Sequence, residues 1–413
     1  MKSRYRPYPS DQLFLFPPSP HEWLPSSHLC YFIMDTVGEL ELSKIRVNYR
    51  GEGCTGTTPY DPRMLVSVLL YSYATGVFSS RAIARKLYED VAYRVIGCGN
   101  YPSYRTIARF RLENMEAFSD LFSQVVRIAR EAGLVCLGLV AVDGSKVKAN
   151  ASKHKAMSYG RMKEEEERIS KEIEDLLRKA QETDEAEKDE EEPSIPEELA
   201  RREGRVAAIR AAKKRLESRV DVDQRTEKSQ ENFTDPESRI MKTIQGFDQC
   251  YNAQIAVDEE AQIVVAADVV QDANDKRLLA PMVEAIEAEC GNKPKSVTSD
   301  SGYVSEEALK NLEDSGIKGY VAPGREGRAT FVKNRAERPA TARMARRLKG
   351  KRGKKQYSKR KCIVEPVFGW IKGILKFRQF SFRGRELVRA EWRLVCAALN
   401  LKRMSARMTW KMA

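Results

Sequence analysis

The run CLGLVAVD, residues 136–143, decides the fold class. It is apolar without the gaps of a helical face and is bounded by Gly133 and Gly144, as expected of a strand buried on both sides. KVKANAS carries it a little further. Upstream, from Asp61 to residue 132, the periodicity is helical instead. Asp61-Pro62 reads as an N-cap with proline at the first helical position, and MLVSVLLYSYATG runs on to Gly76. SSRAIARKLYEDVAYRVIG then places Ile83, Leu87, Val91 and Val95 on one face. SYRTIARFRLENMEAFSDLFSQVVRIAREAG supplies one or two more helices. Residues 61–132 therefore predict an all-α domain with cationic faces (Arg81, Arg85, Lys86, Arg105, Arg109, Arg111). Residues 1–60 form an irregular, Pro-rich arm.

Downstream, composition shifts. Residues 162–203 hold 18 acids against 8 bases, and Met162, Ile169, Ile173, Leu176 and Ala180 recur at helical spacing. Leu199, Val206, Ile209, Leu216 and Val220 form a second set, so 160–220 predicts an inserted antiparallel helical hairpin with a solvated acidic tip. QCYNAQIAVD and QIVVAADVV read as a β-hairpin around Glu259-Glu260. NDKRLLAPMVEAIEAEC is a helix capped near Asn274 or Asp275, and KSVTSD a strand. SEEALKNLEDSG is a capped helix and IKGYVAP a last strand. Strand, hairpin, helix, strand, helix, strand is the order of a ribonuclease-H-like sheet. The predicted class is α/β, a ribonuclease-H-like domain over 133–413 with an inserted helical hairpin, preceded by the all-α domain.

The charge balance limits the partners. A net charge of +13 and 16 Lys or Arg against two Glu between Arg325 and Lys361 point to a polyanion. Arg346, Arg347, Lys351 and Arg352 are candidates for phosphate contacts without base reading. No apolar run approaches the length of a membrane span, and the prolines after LFLF argue against a signal peptide. Eight scattered cysteines and three histidines make a zinc site improbable and suit reduced, mostly buried thiols.

Three acids carry the candidate chemistry. Asp143 closes the first strand, Asp300 closes SVTSDSGY, and Glu365 opens EPVFGWIKG beyond the basic tract. They are 157 and 65 residues apart, so only the fold can bring them together. Such carboxylates suit a pair of Mg²⁺ ions for phosphodiester chemistry, because hard cations take oxygen ligands. Singly, each has an ordinary explanation as a turn or first-turn residue; jointly, in this element order, they do not.

NFTDPESRIMK, GFDQCYNAQIAVD, VTSDSGY and YSKRKCIVEPVFGWIKG resemble the DDE transposases of bacterial insertion sequences, in particular the group with a Tyr-Arg-Glu-Lys signature. The signature falls on Tyr357, Arg360, Glu365 and Lys372. Arg360 lies one residue further from Glu365 than in its commonest form, and Lys361 fills the nearer place. The resemblance implies that Asp143, Asp300 and Glu365 are catalytic and hold two Mg²⁺ ions, with Mn²⁺ as a substitute. It implies that Lys372 and Arg360, with Lys361 beside them, contact the phosphates of element-end DNA, and that Tyr357 positions it. It further implies double-stranded DNA (terminal inverted repeats and target) as partner, a homodimer on that DNA, and a cytoplasmic, nucleoid-associated bacterial protein. A non-catalytic DNA-binding regulator and a nuclease without strand transfer are the alternative readings. Trp370 and Trp392 both fall in apolar-periodic helices, where core packing is the expectation.

Overall fold

A computed structural model describes residues 20–46, 59–186, 195–219, 226–324 and 336–412. The Pro-rich start, GEGCTGTT, most of the acidic tip, Val220 and the first part of the basic tract (325–335) lie outside the described residues. The chain divides into two compact units, residues 1–117 with 401–413, and residues 118–400. The division falls earlier than the expected 132/133 boundary and returns the C-terminal segment to the first unit.

The first unit is helical: α1 (Leu29–Glu39), α2 (Pro62–Ala74), α3 (Ser80–Glu89), α4 (Val91–Gly97) and α5 (Tyr104–Glu113). Asp61 caps α2 by accepting from the Arg63 N–H, with Pro62 at its first position. The single helix expected over Ser79–Gly97 is two, α3 and α4, divided at Asp90, whose carboxylate accepts from the Ala92 N–H and caps α4. Arg81, Arg85, Arg105 and Arg109 are exposed, whereas Arg111 is buried and donates to the Phe78 carbonyl at 2.9 Å and to the Tyr73 hydroxyl. Arg111 thus leaves the expected cationic face and becomes a structural tie.

Helix α6 (Met115–Glu131) leads into the mixed α/β unit. Its strands are β1 (Leu139–Lys148), β2 (Ala156–Ser158), β3 (Gln230–Asn232), β4 (Arg239–Thr243), β5 (Gly246–Asp258), β6 (Val264–Val270), β7 (Ser296–Ser299) and β8 (Lys318–Val321). The main sheet runs β4-β5-β1-β7-β8, with β6 also on β5. β5 is antiparallel to β1, β4 and β6, while β7 is parallel to β1 and β8 parallel to β7. One hairpin was expected here; β5 makes two, because its first half pairs with β4 and its second with β6.

The insertion is a helical pair, α7 (Tyr159–Ala186) and α8 (Ile195–Arg219), entered and left through the short β2–β3 ladder. Met162, Ile169, Val206, Ile209 and Ala212 make its core, with Ile173 partly buried. Glu166 pairs with Arg210 at 2.8 Å and with Lys213 at 3.1 Å. This seam is close to the expected one because helix neighbours recur at fixed spacing.

Helices α9 (Leu279–Cys290), α10 (Glu306–Asp314), α11 (Pro339–Lys349), α12 (Lys351–Ile363), α13 (Glu365–Gly369) and α14 (Arg385–Met412) complete the fold. Helix α9 starts at Leu279 rather than at Asn274 or Asp275, because Asp275 is bound to the side chains of β5. The described part of the basic tract forms α11 and α12. The Glu306 carboxylate accepts from the N–H groups of Ala340 (2.6 Å) and Thr341 (3.0 Å) and so caps the first turn of α11. Arg343 is paired with Glu313, which further ties α11 to α10. Asp235 of NFTDPESR is buried, accepts from the Tyr251 hydroxyl (2.8 Å) and the Gly384 N–H (3.2 Å), and anchors the chain ahead of α14. Among the described residues no helix is long and apolar enough to cross a membrane. The seven described cysteines are free, four of them buried.

Candidate active site

Strand pairing brings the first two acids together. β1 and β7 align Leu139 with Ser296, Val140 with Val297 and Ala141 with Thr298. Continued one for one, that register sets Asp143 opposite Asp300, on neighbouring strand paths about 4.8 Å apart. β7 ends at Ser299, so Asp300 leaves the sheet beside Asp143. Its carboxylate accepts from the Gly302 N–H at 2.8 Å and caps the short turn Ser301–Tyr303. Asp143 itself is not at a strand end, contrary to expectation: β1 continues five residues past it, because β5 stays paired with it as far as Lys148 opposite Cys250.

The third acid is joined through an arginine. Arg360, buried near the end of α12, sets its Nη1 3.1 Å from Asp143 Oδ2 and its Nη2 3.5 Å from Glu365 Oε1. Glu365 opens α13 with Pro366 behind it and is exposed. Among the described residues no three Asp, Glu, His or Cys side chains converge closely enough to hold a metal ion together. The guanidinium lies between the first and third carboxylates. Burial works against its charge, but Asp143, Tyr357, Asp300 and Glu365 outweigh that and hold its pKa above the ordinary arginine value. Arg360 was expected on DNA phosphates; in this structure its terminal nitrogens face Asp143 and Glu365, and its buried Nε has no hydrogen-bond partner.

Burial pushes the Asp143 carboxyl up to about 6; Arg360 and the Gly144 N–H oppose this, and Asp300 and Asp275 reinforce it. A cation bound by this carboxylate would have to displace the proton. Its binding is therefore expected to be flat with pH above about 7 and to weaken roughly tenfold per pH unit below about 6. The folded-state value lies above the ordinary 3.8, so this group stabilises the cation-free fold below that pH and the gain is lost as pH rises through about 6. Mn²⁺ titrations and thermal melts between about pH 5 and 8 check both trends; pH-independent Mn²⁺ affinity would remove Asp143 from the ligand set.

Lys372 does not sit two turns along a regular helix from Glu365. Residues Trp370–Ile374 form a single π-helical turn, so the seven-residue step from Glu365 does not keep the two side chains on one helix face. The ammonium donates to the Ser145 hydroxyl and, at 3.0 Å, to the Lys146 carbonyl. Ser145 lies on the Asp143 face of β1, so Lys372 stands on the site side of that strand. Burial lowers its pKa, against the pull of Cys250. Tyr357 is half-buried on α12, and Lys361 is exposed. Arg346, Lys351 and Arg352 are exposed on α11 and α12, while Arg347 donates to the Gly319 carbonyl at 3.0 Å. Trp392 is fully buried as expected, but Trp370 is 38% exposed.

Sequence reasoning missed the polar cluster behind the acids. Asn252, Gln254 and Tyr303 are buried side chains, linked to one another and to Asp275. They stood inside the quoted motifs, but nothing in their spacing showed that they would meet.

Two family matches accord with this geometry. Residues 214–401 match the transposase DDE domain, and residues 18–113 match a transposase domain (DUF772). The first span contains Asp300 and Glu365 and begins after Asp143. The class is therefore that of a transposase with a DDE domain. The chain belongs to the DDE transposases of insertion sequences. Neither the curated proteins nor the solved structures compared with it give a match.

Proposed function

We propose that this transposase binds the ends of its element, hydrolyses a phosphodiester bond and joins the freed 3′-hydroxyl to target DNA in a divalent-cation-dependent reaction. The observation that carries the reading is the meeting of Asp143 and Asp300 on adjacent strand paths, with Glu365 tied to Asp143 through Arg360. The mixed sheet and its element order support a ribonuclease-H-like catalytic domain. The donor set fits Mg²⁺ or Mn²⁺: the oxygens are hard, the first acid is buried, and a cationic group already lies between two of the three. When bound, such ions activate an attacking oxygen and stabilise the leaving one.

The chain's own residues do the rest. Asp143, Asp300 and Glu365 would hold the ions once Arg360 leaves the space between the first and third acids. Arg360 neutralises the acids in the ion-free protein and, once released from them, offers a planar fork to a phosphate. Lys372, braced on β1, fixes backbone beside the acids, and Tyr357 lines the approach. Arg346, Arg347, Lys351, Arg352 and Lys361 contribute a sequence-independent phosphate track, with a homodimer on double-stranded DNA as the working assembly. Incubating the purified protein with its element ends and Mg²⁺, then mapping products, tests the reading. Cleavage without joining would leave a nuclease; binding without cleavage would leave a regulator.

The track has its own test. Changing Arg346, Arg347, Lys349, Lys351 and Arg352 together to Gln should flatten the salt dependence of DNA affinity, by roughly 0.9 log units per log salt for each phosphate no longer neutralised. Random and element-end duplexes should weaken alike. An unchanged slope would move the DNA path away from α11 and α12.

A further inference from the structure

Behind the acids lies a closed set of polar contacts. On β1, Gly144 and Lys146 face the opposite way to Asp143 and Ser145, and their cross-strand partners are Gln254 and Asn252. Both amides are fully buried. Gln254 Nε2 donates to Asp275 Oδ1 at 2.9 Å and to Asn252 Oδ1 at 3.0 Å. Asn252 Nδ2 donates to the same Asp275 oxygen at 2.6 Å, and Lys146 Nζ lies 3.7 Å from it. The other end of the Gln254 amide, Oε1, accepts from the hydroxyl of Tyr303, also fully buried. Tyr303 ends the three-residue turn that Asp300 caps.

Two glycines make the closeness possible. A Cβ on Gly144 would lie 2.1 Å from Gln254 Nε2 and 3.0 Å from Asn252 Oδ1. A Cβ on Gly302 would lie 2.9 Å from Asp300 Oδ1 and 3.5 Å from Asp275 Oδ2. The Asp275 and Asp300 carboxylates therefore flank one backbone position, and the Gln254 amide lies against the strand at the residue after Asp143.

We infer that Tyr303, Gln254 and Asp275 form a positioning relay that aims the Asp300 carboxylate at its cation. The inference rests on the proposed metal-dependent reading of Asp300. Asp275 holds the Gln254 amide in one orientation, that orientation presents Oε1 to the Tyr303 hydroxyl, and the anchored ring fixes the turn that Asp300 begins. None of the three touches substrate; they act through Asp300. Partners that orient a metal ligand commonly change metal affinity 10–100-fold when removed.

The test uses the full chain and Mn²⁺ alone, with free Mn²⁺ followed by electron paramagnetic resonance. Tyr303→Phe removes one oxygen and should weaken Mn²⁺ binding about tenfold. Gln254→Met, close in shape, removes the accepting oxygen and should do the same if Tyr303→Phe fails to fold. Tyr73→Phe removes a buried hydroxyl in the other unit and should leave Mn²⁺ affinity unchanged while costing comparable thermal stability. In end cleavage, the Mg²⁺ concentration for half-maximal rate should rise by the same factor, with the rate at saturating Mg²⁺ largely recovered. Wild-type binding and cleavage with unchanged Mn²⁺ affinity in the folded variants would overturn the relay and leave the transposase reading intact. A wild type that neither binds Mn²⁺ nor cleaves would overturn both.

Discussion

Asp143→Asn is expected to abolish cleavage of element ends, by at least about a thousandfold, while DNA affinity stays within a few-fold of wild type. The size follows from the job assigned to the carboxylate. Stabilising developing charge through a bound cation is worth several kcal/mol, and each ~1.4 kcal/mol is a factor of ten in rate. The phosphate contacts proposed for α11 and α12 would be made elsewhere, so binding is not expected to follow. The variant should also fold, because burial already disfavours the Asp143 charge and the amide keeps its shape. Asp300→Asn and Glu365→Gln should match it, although Glu365 is exposed and meets Asp143 only through Arg360. Single-turnover cleavage beside a gel-shift titration separates chemistry from binding. Any one variant that keeps near-wild-type cleavage leaves the triad.

Trp392→Ala carries the largest expected loss of stability, about 3–5 kcal/mol. The indole is fully buried, with ring centroids 6.4 Å from Phe368, 6.2 Å from Phe377 and 6.4 Å from Phe380. Its Nε1 donates to the Gln254 carbonyl at 2.9 Å, which ties α14 to the strand that bears the amide relay. Trp392→Phe keeps most of the apolar volume but removes that hydrogen bond, a cost of about 0.5–1.5 kcal/mol. Urea unfolding measures both. A loss below about 1 kcal/mol for the alanine variant would mean that the ring does not fill the core as described.

Much of this protein was legible in one dimension. The buried run ending in Asp143, the helical seam of Met162, Ile169, Val206 and Ile209, and the caps at Asp61 and Ser305 all depend on neighbours a few residues away. Periodicity and capping chemistry report such neighbours directly. The candidate acids were readable for the same reason, since each stands in a short motif. Their mutual geometry was not. Opposing Asp143 to Asp300 takes the parallel register of β1 on β7, and linking Glu365 to Asp143 takes a guanidinium delivered by another helix. Asp275 shows the limit most clearly: local rules made it a helix cap, whereas two amides on β5 hold it beside the site and the helix starts later. Lys372 was readable only as a member of its motif; a π-turn and a strand hydroxyl fix where its ammonium lies. The sequence alone determined which residues had the chemistry and which elements would bear them. Only the tertiary structure decided which of them meet, because strand register and helix docking are set by burial summed over many distant contacts, which no local window contains.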